Sequence, residues 1–199
     1  MWIAVLLAGG RASRLGGRHK PGITVGGTTL LDRAVGAVDG AAETIVVGPP
    51  EPTARPVRWT VETPRGGGPV AALAAGLAAI SRPADEVVVL AADLVGVTQD
   101  TVRRLRAALT TTDGVVLRDA TGRRQWLIGV WRTDRLLAAL PPEPAGASLF
   151  SVLSTLSVTE LPELPGESAD VDTPDDLARY SAELPEGPVA GGASQPSHW

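Results

Sequence analysis

The chain has no cysteine, which leaves it no disulfide and no thiolate metal site. Its two histidines, His19 and His198, stand far apart in sequence, which argues against a zinc site. No apolar run approaches the ~20 residues of a membrane-spanning helix, so no membrane partner is expected. The opening residues read as a strand rather than a basic leader with a cleavage site; no signal peptide is expected, and the expected location is cytoplasmic. A net charge of −4 provides no global basic field to draw in nucleic acid. Lysine is nearly absent: Lys20 stands alone among 18 basic residues, the rest arginine. Arginine usage follows genome composition, so the arginine count carries little weight. The single lysine carries more. At 199 residues the length suits one domain with a sizeable core.

Lys20 closes a glycine-rich segment that begins where the first hydrophobic run ends. The run Ile3-Ala4-Val5-Leu6-Leu7 is followed by Ala8-Gly9-Gly10, then by Arg11, Arg14, Gly16, Gly17, Arg18, His19 and Lys20-Pro21. Glycines allow backbone N–H groups to approach phosphate oxygens closely. Lys20 supplies a point charge and Arg14 a planar fork. Together they read as an anion site, best matched by a nucleoside triphosphate. The plain alternative is a strand-to-helix turn carrying exposed arginines. The spacing fits neither a Walker A loop nor the dinucleotide fingerprint, since Gly-Lys-Ser/Thr and the third required glycine are missing.

Along the chain, short apolar runs alternate with helical patterns. Strands are predicted over 2–7, 44–47, 58–62, 86–91, 114–117, 126–131 and 158–161, and helices over 30–38, 70–80, 98–109, 133–140 and 149–156. A last helix starts at Thr173-Pro174-Asp175-Asp176, where a cap, a first-turn proline and two acids coincide. Residues 86–91 are apolar on both faces, the mark of a central strand. Alternation of this kind predicts an α/β sandwich with a mostly parallel sheet and helices on both faces. Ligands in such sheets bind beyond the carboxyl ends of the strands, which gathers the loops 8–20, 63–69 and 92–97 on one edge. Residues 1–184 read as one domain. Residues 185–199, rich in Pro, Gly, Ser and Ala, read as a disordered tail.

The segment Leu7-Ala8-Gly9-Gly10-x-x-Ser13-Arg14-Leu15-Gly16, followed by Lys20-Pro21, resembles the signature of nucleotidyltransferases of the GT-A-like, Rossmann-like type, and within them the molybdenum cofactor guanylyltransferases. The likeness recurs in order downstream. Gly68-Pro69-Val70-Ala71-Ala72-Leu73 is similar to the family's helix start, and Leu90-Ala91-Ala92-Asp93 to its strand-then-aspartate metal motif. Gly122-Arg123-Arg124-Gln125-Trp126-Leu127 and Asp170-Val171-Asp172-Thr173-Pro174 are similar to its later segments. The resemblance spans about residues 3–180. It implies a three-layer sandwich in which an acceptor phosphate attacks the α-phosphorus of GTP and pyrophosphate leaves. It implies molybdopterin as acceptor, Mg²⁺ as cofactor, and proteins of molybdoenzyme maturation as further partners. Lys20, Arg14 and Asp93 are the implied catalytic residues. Leu7, Ala8, Gly9, Gly10, Lys20, Thr63 and Asp93 are the implied nucleotide contacts, with the guanine edge read by the main chain of Leu7 to Gly9. Asp93 is the implied metal ligand, with Asp172 or Asp170 as second carboxylate, since magnesium takes one or two carboxylates plus phosphate oxygens and water. The plain readings are a loop or capping acid at 93 and helix capping at 170 and 172. Trp126 and Trp131 read as core or as the wall of an acceptor pocket.

The chain departs from the family pattern at four places. His19 replaces an acid that would orient the lysine. Asp93-Leu94-Val95-Gly96 lacks the family's proline, which predicts a looser metal loop. Thr63 stands where an acid contacts the nucleotide, and Ala147 stands where an arginine would favour an anionic acceptor. These departures keep two alternatives open. One is transfer from CTP or to another acceptor. The other is a nucleotide-binding protein with little catalysis.

Overall fold

The computed structural model describes residues 1–9, 11–12 and 18–184. Gly10, Arg14 and the predicted tail at 185–199 lie outside them. Strand β1 (Trp2–Leu7) is followed by two short antiparallel pairs, β2 (Arg11–Ala12) with β3 (Arg18–His19) and β4 (Thr24–Val25) with β5 (Thr28–Thr29). Helix α1 (Leu30–Ala37) starts at Thr29, whose hydroxyl accepts from the Asp32 N–H. Strands β6 (Thr44–Val47) and β7 (Arg58–Thr60) precede helix α2 (Pro69–Ala78), and β8 (Glu86–Ala91) precedes α3 (Gln99–Ala108). Strands β9 (Gly114–Arg118) and β10 (Arg124–Arg132) form a hairpin. Helices α4 (Thr133–Ala139) and α5 (Leu149–Leu153), strand β11 (Val158–Pro162) and helix α6 (Pro174–Glu183) complete the domain.

Seven strands form one sheet in the order β11-β9-β10-β8-β1-β6-β7. Only β10 runs antiparallel to its neighbours; the other adjacent pairs are parallel. The chain leaves β1 toward β6 and β7, then returns to place β8 on the other side of β1. Its strand order therefore reverses at β1, and a crevice opens at the carboxyl end of that strand. Leu7 pairs with both Val47 and Ala91, so three central strands end level there.

Both faces of the sheet are covered, which accounts for the unbroken apolar runs of β1 and β8. Ala4, Leu6, Val88 and Leu90 pack under α1 and α3. Ile3, Val5, Val87 and Val89 pack against α2, α4 and α5, with Trp131 fully buried among them. Helix α2 lies flush on this face because residue 76 is glycine. A Cβ there would run into Val5 Cγ1 and stand 3.0 Å from Val47 Cγ2. Gly76→Ala adds about 1 kcal/mol of helix propensity. Overpacking outweighs that gain, and we expect a net loss of about 1–3 kcal/mol in urea unfolding. An unchanged midpoint would mean that α2 lifts off the sheet at no cost.

The observed elements follow the predicted ones closely, with local differences. Strand β7 stops at Thr60 rather than residue 62. Gly48 N–H donates to the Thr60 carbonyl at 2.9 Å, and the next two residues on that side, Pro49 and Pro50, have no N–H to continue the ladder. Helix α5 ends at Leu153 rather than 156, where the Thr155 hydroxyl donates to the Val152 carbonyl at 2.7 Å. The hairpin of β4 and β5 is too short to show in a periodicity reading.

A small third core joins three distant segments at the carboxyl edge of the sheet. Ile23, Val25, Leu30, Val95 and Val171 are buried together, with Leu177, Tyr180 and Leu184 of the last helix segment packed on them. This cluster ties the residues just after Lys20 to the loop after β8 and to the segment before α6.

Candidate active site

Asp93 lies two residues beyond β8 at the crevice, on a loop held by backbone contacts. Val95 N–H donates to the Ala169 carbonyl at 2.9 Å, and Leu94 forms an isolated antiparallel bridge with Asp170. Gly96 allows the closest approach: a Cβ there would strike the Gly166 carbonyl. The missing family proline predicts a loose loop here. The loop is braced instead by the segment 166–170.

Lys20 opens a single 3-10 turn, Lys20–Gly22, after β3. Its ammonium donates to Asp172 Oδ1 and stands 3.5 Å from Asp93 Oδ2, with the lysine side chain only 12% exposed. Burial works against the Lys20 charge. The hydrogen bond to Asp172 and the charges of Asp93, Asp172 and Asp170 outweigh it and raise the lysine above its ordinary pKa. Asp170 is raised above the usual carboxylate range, first by burial and then by the charges of Asp172 and Asp93, with Lys20 opposing. Three carboxylates thus surround one ammonium. Among the described residues, Asp93 and Asp172 form ion pairs with no cation but Lys20, and Asp170 forms none.

The capping readings of these acids do not hold. Helix α3 is capped by Thr98 with Thr101, not by Asp93. Helix α6 is capped by Thr173 with Asp176, so neither Asp170 nor Asp172 supplies its capping side chain.

The crevice is a cleft of about 690 Å³. It runs from Leu7, Gly9 and Gly68 past Asp93 and Asp170 to Trp126. Of the expected nucleotide contacts, Leu7, Gly9 and Asp93 line it. Lys20 and Asp172 stand beside Asp93 without lining it. Ala8 is fully buried, and its N–H donates to the Val47 carbonyl at 2.8 Å, while the Leu7 carbonyl accepts from Ala92 N–H at 3.0 Å. The sheet therefore already uses two of the main-chain groups from Leu7 to Gly9. Thr63 is exposed and does not line the cleft. Its neighbour Glu62 does, and Glu62 Oε1 accepts from the Gly66 N–H at 2.9 Å, shaping the glycine-rich approach to α2. Glu62 escapes the sequence reading because the predicted strand 58–62 runs through it and the family motif points to Thr63. His19 turns away from Lys20: its Nδ1 lies 2.6 Å from Glu51 Oε1.

At the far end of the cleft, Trp126 stacks on buried Trp131 with centroids 6.4 Å apart and an interplanar angle of 20°. Phe150 meets its edge at 6.3 Å. Trp131 lies in the core, and Trp126 lines the cleft. Arg123, Arg124 and Gln125 line the same end, although Arg124 is engaged by Glu160 at 2.8 Å.

Residues 4–158 match the MobA-like NTP transferase domain. The chain belongs to that family. Its members are nucleotidyltransferases, which agrees with the sandwich, the glycine-rich sequence after β1 and the aspartate beyond the central strand. A molybdenum cofactor guanylyltransferase of Bradyrhizobium sp. (strain ORS 278) is 29% identical over 188 residues, covering 87% of this chain and 89% of that protein. Among solved structures, molybdopterin-guanine dinucleotide biosynthesis protein A of Archaeoglobus fulgidus superposes with a TM-score of 0.70 at 19% identity, covering 92% of this chain and 98% of that one. The Rv0371C protein of Mycobacterium tuberculosis H37Rv, solved as a complex with manganese, superposes with a TM-score of 0.71 at 20% identity, covering 92% and 99%. The expected GT-A-like fold is the observed one. Among the described residues, no helix is long and apolar enough to cross a membrane.

Proposed function

We propose that the protein transfers GMP from GTP to the phosphate of molybdopterin with release of pyrophosphate, in the presence of Mg²⁺. One observation carries this reading. A lysine ammonium and three carboxylates converge beside a cleft at the carboxyl end of the central strands, in a chain of the MobA-like family. The relative from Bradyrhizobium carries the same activity in its name.

The donor set suits a hard divalent cation. Asp93 and Asp170 both line the cleft, and among the described residues Lys20 alone pairs with Asp93 while Asp170 forms no ion pair. Among the described residues no three His, Asp or Glu side chains form a complete metal cage. Magnesium does not need one, because substrate phosphates and water complete its shell. Asp93 and Asp170 would hold it, and it would supply Lewis-acid stabilisation of charge on the phosphates. Lys20 adds a fixed positive charge beside Asp93, and the main chain at Gly9 and Gly68 allows close approach of the nucleotide. Glu62 shapes the nucleoside end through Gly66. Trp126 and the arginines at the opposite end form the acceptor wall. Asp93 stands between the two ends, where the acceptor phosphate oxygen attacks the α-phosphorus as the bond to pyrophosphate breaks. The chain needs no covalent nucleophile. Positioning and charge neutralisation supply the catalysis.

The deciding assay measures pyrophosphate release with purified molybdopterin and each nucleoside triphosphate in turn. Release with GTP that depends on Mg²⁺ is the expected result. Release with CTP alone would change the base, and no release with any triphosphate would overturn the enzymatic reading. Lys20→Ala is expected to weaken GTP binding by about 1–3 kcal/mol, the scale of a charged hydrogen bond, in isothermal titration. Unchanged affinity would remove Lys20 from the triphosphate.

A further inference from the structure

We infer that Asp172 is a positioning residue for Lys20 and not a ligand of the metal; the inference rests on the proposed nucleotidyl transfer. Four observations carry it. The Lys20 ammonium donates directly to Asp172, while Asp93 is farther away at 3.5 Å. Asp93 and Asp170 line the cleft, but Asp172 does not. The residue beside the lysine, His19, is committed to Glu51 and does not compete for Asp172 or the ammonium. Finally, the two ends of the Lys20–Asp172 pair are mounted on one small core. Ile23, three residues after the lysine, packs with fully buried Val171, the residue before Asp172.

The backbone of Asp172 is tied to the start of α6, although its side chain is 50% exposed. Its N–H donates to Asp176 Oδ2 at 3.3 Å, and the same carboxylate oxygen accepts from the Thr173 N–H at 3.0 Å and hydroxyl at 2.7 Å. Leu177 and Tyr180 anchor that first part of α6 against Ile23 and Val25. A lysine on a four-carbon stem has high rotamer entropy, so a carboxylate on a fixed base limits where its charge can go. With Asp172 removed, the ammonium is free to close on Asp93. It would then neutralise a carboxylate of the cleft and withdraw from the triphosphate.

The test is a double-mutant cycle read by binding rather than turnover. Calorimetry measures GTP affinity in the presence of Mg²⁺ for wild type, Asp172→Asn, Lys20→Met and the double variant. Paramagnetic resonance measures Mn²⁺ affinity of the nucleotide-free protein, with Asp93→Asn as the reference for a lost ligand. Circular dichroism checks that each variant is folded. Asp172→Asn is expected to weaken GTP about tenfold in the wild-type background, the scale of one charge-assisted hydrogen bond. In the Lys20→Met background the same change is expected to cost less than about twofold, because Asp172 acts through the lysine. Mn²⁺ affinity should stay within about threefold in Asp172→Asn, while Asp93→Asn loses about tenfold or more. Equal GTP losses in both backgrounds, or a Mn²⁺ loss in Asp172→Asn as large as in Asp93→Asn, would overturn the assignment alone. A folded wild-type protein that binds no GTP would overturn the proposed function first, and this assignment with it.

Discussion

Asp93→Asn is expected to lower pyrophosphate release on the order of 10³-fold, with an unfolding midpoint within about 4 °C of the wild type. The two halves of this result have separate causes. Asn keeps the shape of the side chain and its place beyond β8, but it carries no charge for a divalent cation. Several kcal/mol of stabilisation on the phosphates is lost with that charge. The fold loses little. Among the described residues, Asp93 makes one ion pair, at 3.5 Å to Lys20, and its side chain is 25% exposed. Lys20 keeps its bond to Asp172 when Asp93 is neutral, so no charge is left unpaired and the loss stays at about 1 kcal/mol. The loop also keeps its braces, since Val95 bonds Ala169 and Leu94 bridges Asp170 through the backbone. The measurement needs saturating GTP, Mg²⁺ and molybdopterin, and a thermal melt of the same preparation. Turnover within tenfold of wild type would take Asp93 out of the metal role. A melted variant would make it structural.

The elements legible in the sequence are those whose cause is local. Strands β1 and β8 are apolar on both faces because both faces are covered, and Gly9 after the one and Asp93 after the other mark where they end. Helices α1, α3 and α6 carry their threonine caps in the sequence, at Thr29, Thr98 and Thr173. Lys20, Asp93, Asp170 and Asp172 are legible as a set because each stands beside a punctuating motif, and the fold brings the four together. The rest depends on contacts between distant segments. Adjacency suggests His19 as a lysine partner, yet its ring meets Glu51 32 residues away. Position in a motif favours Thr63 over Glu62, while the end of β7 leaves Glu62 facing the cleft. The loop after Asp93 lacks its proline, and no local pattern announces that residues 166–170 replace its stiffness. Nothing local in Leu164-Pro165-Gly166-Glu167 marks Glu167 as buried.

Glu167 nevertheless carries the largest expected effect on stability. Glu167→Ala should cost about 3 kcal/mol, at the low end for breaking a buried charged pair. The residue is only 5% exposed. Its Oε1 accepts from the Thr101 hydroxyl at 2.6 Å and from Arg104 Nη1 at 2.7 Å, and its Oε2 accepts from the Leu164 N–H at 2.6 Å. Removal takes an acceptor from three donors. Arg104 retains the Pro162 carbonyl at 3.0 Å and partial access to water, which limits the loss. Thr101 is less fortunate, being fully buried and also part of the α3 cap through the Thr98 N–H. The loss should appear as a fall of roughly 6–12 °C in midpoint for a domain of this size. Burial works to raise the Glu167 carboxyl, but Thr101, Leu164 and Arg104 outweigh it and hold its pKa below the usual glutamate value. A carboxyl depressed in the folded state adds stability above its unfolded pKa, and that stability fades as pH falls through the folded one. The variant should therefore lose less stability than wild type on acidification, so the gap between the two midpoints narrows toward low pH. A constant gap would mean that packing, not charge, dominates. The consequence reaches the cleft, because Glu167 anchors to α3 the segment whose Ala169 carbonyl and Asp170 backbone brace the loop of Asp93. Activity of Glu167→Ala, measured well below its midpoint, should fall along with stability, whereas Gly76→Ala should leave the activity of its folded fraction intact.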